Sequence, residues 1–401
     1  MPLSATPSGT GGYHQRMGNS PSKTLGKTGL HVSPYGFGCY RVHIRNPAFQ
    51  DALKMALLNG CNLIDTSSNY GGDGGSEQLV GHVLGELFST RQLQREEVVI
   101  VTKVGYVQGT NMALAQKRLQ EKQPFPEMVR YTADCWHCIH PEFLENQLER
   151  SLKQLQVQKI DVYLLHNPEY FLIASKKKST SAQEKIEEAY YQRISLAFDW
   201  MEKQVAQGKI ASYGISSNTF PRSEDDETFT SLEKVLALTQ RLRPQNHFST
   251  IQFPMNLLER GGIIQKNQRE QTLTLLELAA ESQLGVLINR PLNAIIEQGL
   301  IRLSENPPPK ETTILVPNQS QKLNQTLLSL ESQLKSLPLL SQKALHLLAS
   351  LESVSCVLLG MRQISYVQEF IKLKKTPFFA KVDTFWNSLE EKYLLEEVLG
   401  L

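Results

Sequence analysis

The chain has 401 residues, 40% of them hydrophobic and 20% charged, enough for two or three average domains or for one large α/β barrel with insertions. A net charge of +2, from 42 basic and 40 acidic residues, argues against a nucleic-acid footprint and against an acidic tail. No apolar run approaches the roughly 20 residues of a membrane span, and five cysteines are too few, and odd in number, for a disulfide framework.

A cytoplasmic protein with no nucleic-acid or membrane partner is therefore expected; oligomeric state is not readable. Residues 1–22 are rich in Gly, Ser, Pro and Thr and lack the apolar core of a secretory signal. They are expected to form a disordered tail ahead of a single domain over residues 23–401. The stretch is acid-free, as transit peptides are, and Met17 as an alternative start would place Gly18 to Ser22 in the loose myristoylation pattern.

Residues 24–32 read as a short hairpin with glycines at turn positions. Beyond it, short apolar runs alternate with amphipathic stretches. The strand candidates are 32–38, 61–66, 97–103, 160–166, 211–216, 250–253, 285–289 and 355–359. Helical spacing of apolar residues marks 48–58, 77–87, 142–155, 197–207 and 273–282. Eight strands alternating with helices predict an α/β fold, a (β/α)8 TIM barrel with an N-terminal β-hairpin and long βα-loop insertions. A doubly wound open sheet is disfavoured, because Gly36-Phe37-Gly38-Cys39-Tyr40-Arg41 lacks the third glycine of a dinucleotide-binding turn.

Three connections are longer than the repeat needs: 107–141, 169–193 and 292–352. In a barrel, βα connections lie on the face where active sites form, so the first two should line or cover the site. The third holds Pro307-Pro308-Pro309 and a helical-looking 327–348 interrupted by Pro338, and reads as an accessory excursion.

Three successive strands end on ionisable residues. Asp65 closes the second and is followed five residues on by Tyr70; Lys103 closes the third; His166 closes the fourth. A charge at the end of a buried strand is costly unless partnered, and these three face one mouth. Singly, each is more often a structural ion pair or a satisfied histidine. Together they form a device for protonating an oxygen. The Lys103 ammonium favours phenolate and should bring the Tyr70 pKa down towards the working range; Asp65 orients the ammonium, and His166 orients a carbonyl oxygen. Side chains do not deliver hydride, so a nicotinamide cofactor is implied.

From Lys23 to Phe370 the chain resembles the aldo-keto reductase superfamily. Ile64-Asp65-Thr66-Ser67-Ser68-Asn69-Tyr70-Gly71 is similar to its Asp-Thr-Ala-x-x-Tyr-Gly segment, and Gly75-Ser76-Glu77 opens the helix that follows. Ile160-Asp161-Val162-Tyr163-Leu164-Leu165-His166 resembles its Asp-Tyr-His strand, and Gly208-Lys209-Ile210 through Gly214-Ile215-Ser216 its Gly-Lys-Ile…Gly-Val-Ser segment. The resemblance implies Tyr70 as acid/base, tuned by Lys103 and Asp65, with His166 orienting substrate. It also implies NADP(H), with NAD(H) still open, bound without a Rossmann domain, and no metal.

By the same resemblance Ser216 and Gln252 fall where the nicotinamide carboxamide is held. Pro291 and Leu292 match the end of strand seven, and Gly360 and Arg362 the loop that meets the adenine-side phosphates. Here the chain departs from the pattern: Ser217 replaces an asparagine, Asn289 a stacking aromatic residue, Arg290 a serine, and Tyr366 and Phe370 the adenine-holding amides. Tyr40, Arg41, Trp136 and Asn167 are candidates for the substrate pocket. Cys135-Trp136-His137-Cys138-Ile139-His140 lacks the separated pairs of a structural zinc site and is read as lid. Lys176-Lys177-Lys178 reads as a solvated charge run. Two other readings stay open: a nicotinamide-binding barrel that senses redox state or binds a partner with little turnover, and a metal-dependent barrel enzyme.

Overall fold

The computed structural model describes residues 2–18, 20–176, 183–296, 299–303, 313–314, 317–380 and 382–391. Eight parallel strands close on themselves in chain order: β1 (Tyr35–Gly38), β2 (Leu63–Asp65), β3 (Val99–Val104), β4 (Ile160–His166), β5 (Ile210–Ser216), β6 (Phe248–Pro254), β7 (Gly285–Asn289) and β8 (Cys356–Leu359). The predicted TIM barrel is the observed fold.

The strands read as near-continuous apolar runs because both of their faces are buried. Leu63, Val99, Val101, Val162, Leu164, Leu287, Cys356 and Leu358 pack together as one cluster inside the barrel. Their chain neighbours, such as Ile64, Ile100, Tyr163, Leu165 and Ile288, belong to the larger cluster shared with the surrounding helices. The two clusters are the two sides of a period-two strand.

The interior cluster also contains Leu25, Leu30 and Val32. They come from the predicted hairpin, Lys23–Thr24 paired antiparallel with His31–Val32. Its contacts go to strand starts: Lys27 N donates to Gln283 O (2.7 Å), Ser355 Oγ to Thr24 O (3.0 Å) and Asn62 Nδ2 to His31 O (2.9 Å). The hairpin therefore plugs the N-terminal end of the barrel, opposite the strand ends that carry Asp65, Lys103 and His166. Gly26 makes the seat possible: its φ is +49°, and a Cβ there would lie 2.2 Å from Gly285 N. Val32, expected to open the first barrel strand, belongs to the hairpin instead.

The expectation of a disordered tail over residues 1–22 is corrected. Helix α1 (Pro7–Arg16) occupies it, with Thr6 as N-cap accepting from Gly9 N (2.9 Å) and Pro7 in the first turn. Tyr13 is fully buried and donates to Leu57 O (2.6 Å), and Ala5 N donates to Asp161 Oδ1 (2.7 Å). The composition suggested disorder because these anchors are single residues whose partners lie far along the chain.

The long connections are built, not bare. The first carries a helix (Gly109–Gln120) and a small sheet of Tyr106–Val107, Trp136–His137 and Val129–Arg130. In the second, helix Tyr170–Lys176 precedes a 24-residue helix, Gln183–Ala206, of which the expected 197–207 is only the end. Lys177 and Lys178 lie outside the described residues. In the third, Asn293–Ile296 pairs with Gly299–Arg302; the helix expected over 327–348 is instead the end of Pro317–Leu330, a 3-10 turn over Ser332–Ser336 and, past Pro338, a second helix Leu340–Ser350. Pro307 to Pro309 lie outside the described residues. The helix expected over 273–282 starts two residues late, at Leu275, behind a Thr274/Glu277 capping box. Among the described residues, no helix is long and apolar enough to cross a membrane.

Candidate active site

Lys103 and Asp65 meet at the ends of neighbouring strands. Thr66 N donates to Val101 O (2.9 Å) and Ser68 N to Lys103 O (3.1 Å), which carries the β2–β3 pairing one step past the strand. A turn closed by Tyr70 N to Ser67 O (3.1 Å) then folds Tyr70 back over the strand ends. Lys103 Nζ donates to Asp65 Oδ2 (2.7 Å), Thr66 O (3.0 Å) and Tyr70 Oη (3.3 Å). Lys103 is 0% exposed and Asp65 4%, so this is a buried ion pair completed by two further acceptors for the ammonium.

Burial by itself pulls the Lys103 pKa down, but the Asp65 carboxylate and Tyr70 more than offset it and the ammonium is held above the ordinary lysine range. For Tyr70 burial is the largest influence and pushes the phenol up to about 12, against the downward pull of Lys103 and with Asp65 adding to the rise. From the sequence alone, Lys103 is expected to win over burial. It does not, and Tyr70 is a neutral phenol across the ordinary pH range.

His166 stands beside the trio, its ring 5.9 Å from that of Tyr70. Its Nδ1 lies 3.1 Å from Ser67 Oγ, and its carbonyl 2.7 Å from His137 Nε2. Burial, then Lys103 and His137, drive its pKa far down, so the imidazole is neutral. Burial likewise brings His137 down to about 4.

A second polar group adjoins the first. Gln252 Nε2 donates to Asp65 Oδ1 (2.8 Å), while Gln252 Oε1 accepts from Ser216 Oγ (3.2 Å) and Asn289 Nδ2 (3.3 Å). Ser216, Gln252 and Asn289, singled out in the sequence, are thus brought together with Asp65. Arg290 follows with φ of 52° and donates from Nη2 to Glu259 Oε1 (2.7 Å). The buried Asn289 Oδ1 and Arg290 Nε have no hydrogen-bond partner. Ser217 is not brought in by its side chain: its hydroxyl is buried with Thr219 (3.2 Å) and Thr230 (3.4 Å), and only its N–H reaches Gln252 O. Pro291 is buried and Leu292 packs on the core. Gly360, Arg362 and Tyr366 follow β8, one strand further round; Phe370 is core, edge-on to Tyr35.

Tyr40 is 67% exposed, edge-on to Tyr70 at 5.2 Å, with the Arg41 guanidinium 6.0 Å from its ring. Asn167, with φ of 54°, donates to Tyr106 Oη (2.7 Å). Trp136 sits under the Arg130 guanidinium at 4.9 Å, on the small sheet of the first insertion.

Tyr106 and Tyr170 were missed in the sequence. Tyr106 packs edge-on against His166 (4.6 Å) and Tyr170 (5.1 Å), and Tyr170 stacks on His137 (5.7 Å). Tyr106 lies two residues past the end of β3 and Tyr170 four past the end of β4, and that nearness to a strand end is the signal that would have found them. Glu169, also missed, is buried beside them; its Oε1 accepts from Asn218 N (2.8 Å), and burial pushes its carboxyl up to about 7.

The Cys135–His140 segment is dispersed: Cys138 Sγ points to Pro126 O, His137 to the His166 carbonyl, and His140 caps helix Pro141–Leu155. Among the described residues, no group of three or more His, Cys, Asp or Glu is gathered to hold a metal.

The sequence model of the aldo/keto reductase family matches residues 36–391. Aldose reductase B of Dictyostelium discoideum is 24% identical over 211 residues, 51% of this chain and 56% of its own length. An NADPH-dependent D-xylose reductase of Meyerozyma guilliermondii is 25% identical over 202 residues, 47% of this chain and 50% of its own. The chain spans about half the length of these curated relatives. The fold is similar to that of an aldo/keto reductase from Klebsiella pneumoniae crystallised with NADP and acetate (TM-score 0.53, 19% identity, 94% of this chain and 96% of that one).

Proposed function

Because this chain belongs to the aldo/keto reductase family, we propose that it transfers hydride between NADP(H) and a carbonyl or alcohol substrate, with Tyr70 as acid/base. The observation that carries the reading is the contact of Tyr70 Oη with a buried, charge-paired Lys103 Nζ at 3.3 Å. A neutral phenol has a proton to give to a carbonyl oxygen, and the ammonium beside it stabilises the phenolate left behind. His166, neutral and clamped through Ser67 and His137, orients that oxygen toward Tyr70. Tyr40, Arg41, Trp136 and Asn167 wall the substrate side, with Tyr106 behind His166.

Buried polar atoms that lack partners mark where a cofactor fits. An acceptor, Asn289 Oδ1, and a donor, Arg290 Nε, stand on successive residues at the end of β7, next to Ser216 and Gln252. They suit a ligand that carries both an amide and an anionic group. Ser216, Gln252 and Asn289 would hold the carboxamide; Arg290, Pro291 and Leu292 would follow the diphosphate, and Gly360, Arg362 and Tyr366 the adenine side. When bound, the reduced nucleotide supplies the hydride that no side chain carries. The names of these relatives, aldose reductase and NADPH-dependent D-xylose reductase, favour NADP(H) as cofactor and a small-molecule, sugar-like carbonyl as substrate.

The test is direct. NADPH fluorescence should change on mixing with the protein, and turnover over a panel of aldehydes, ketones and sugars should fall by about 10²–10⁴ in Tyr70→Phe while NADPH binding persists. Near-normal rates in that variant would remove Tyr70 from its role. Nucleotide binding without turnover in the unmodified protein would make it a nicotinamide-binding barrel instead.

A further inference from the structure

The Asp65 carboxylate is held from two sides. Lys103 Nζ occupies Oδ2 at 2.7 Å, and Gln252 Nε2 occupies Oδ1 at 2.8 Å, reaching from β6 to β2 across the mouth. All three side chains are buried. The Gln252 amide has its polarity set by two donors, since Ser216 Oγ and Asn289 Nδ2 both reach Oε1 and leave Nε2 to face the carboxylate. Donors therefore run in one direction, Asn289 to Gln252 to Asp65, and Lys103 closes the chain on Tyr70.

We propose that Gln252 is a positioning residue for the acid/base pair, oriented by Asn289 and Ser216. By filling Oδ1 it limits Asp65 to a one-oxygen contact with Lys103, which leaves the ammonium a third donor for Tyr70. The physical reason is the cost of a bare, buried carboxylate oxygen. Without Gln252, Oδ1 is an unfilled acceptor beside a cation that rotates freely about its Cε–Nζ bond. The ammonium then turns toward the second oxygen, and of its three contacts the longest, 3.3 Å to Tyr70, is the one given up. Losing it removes a pull that lowers the Tyr70 pKa.

Other titratable groups near the trio do not obscure the effect. His166 from β4 is neutral, and the thiols of Cys39 after β1 and Cys356 on β8 are pushed up by burial and stay protonated. Tyr40 packs on Tyr70 from the exposed side.

The kinetic arm of the test rests on the function proposed above; the stability arm does not. In the alcohol-oxidation direction, where Tyr70 must act as phenolate, Gln252→Leu should move the rising limb of the pH profile of kcat upward by on the order of one unit, a tenfold loss at fixed pH per unit. Asn289→Asp, which replaces the donor toward Gln252 by an acceptor, should shift the limb the same way by less.

Were Gln252 only a cofactor ligand, Gln252→Leu would raise the Kd for NADP and leave the limb in place, and that result overturns the proposal. In urea unfolding, Gln252→Leu combined with Asp65→Asn should lower the midpoint by less than the sum of the single shifts; additive shifts also overturn it. An unmodified protein without turnover would sink the function above and the tuning with it, while the unfolding cycle still reports on the contact.

Discussion

Lys103 and Glu169 are both buried, and burial has opposite outcomes for their charge. Lys103 keeps its ammonium because Asp65 lies 2.7 Å away. Glu169 has a backbone N–H on one oxygen, while its other oxygen is buried and without a partner, and burial takes its carboxyl up to about 7. The sign follows from linkage. A carboxyl with a folded pKa above its unfolded value holds a proton in the native state that the unfolded chain releases. Stability is then largest below the unfolded pKa of about 4.3 and falls as pH rises to about 7, by about 4 kcal/mol at most. Glu169→Gln keeps the acceptor for Asn218 and removes the titration. Its urea midpoint should match that of the unmodified protein near pH 4 and exceed it at pH 8; equal differences at both pH values would show that Glu169 does not titrate there. Asp65, Lys103 and His166 were legible because each stops an apolar strand run, and Tyr70 because it follows Asp65 at fixed spacing. Glu169 and Tyr106 lie on connections, where no periodicity marks which side chains turn inward.

Helix α1 shows how an element hides in a sequence. Its glycines lower helix propensity and read as tail, yet one of them is required. A Cβ on Gly9 would lie 2.6 Å from Glu96 O, the backbone against which the helix docks. A Cβ on Gly12 would meet nothing within 4 Å. Propensity alone makes Gly→Ala favourable at both by about 1 kcal/mol. Docking reverses the sign at one: Gly9→Ala should lower the melting temperature and Gly12→Ala raise it, as followed by circular dichroism. A rise for both would mean that the helix does not dock on Glu96. The barrel strands were readable for the opposite reason, since burial on both faces leaves an unbroken apolar run. The two-residue strands of the first insertion were not readable, because Tyr106–Val107, Trp136–His137 and Val129–Arg130 exist only as partners of one another.

Across the whole molecule, stability and chemistry are placed at opposite ends of one barrel. The hairpin closes the lower end with Leu25, Leu30 and Val32, and the ionisable residues open the upper one. Leu25 is fully buried against Gly285 at the start of β7, so Leu25→Ala should cost about 2–5 kcal/mol. NADPH affinity, read by fluorescence at a temperature where the variant is folded, should be unchanged. A large loss of affinity would show that the two ends are coupled. The sequence by itself determined the alternation that makes the barrel and the residue types at its strand ends, because both are local: a buried strand must be apolar, and a reactive group must sit where the strand stops. Only the tertiary structure decided how those groups charge one another. Burial set against the pull of Lys103 leaves Tyr70 a neutral phenol, and the order Asn289, Gln252, Asp65 depends on three strands that meet only when the barrel closes.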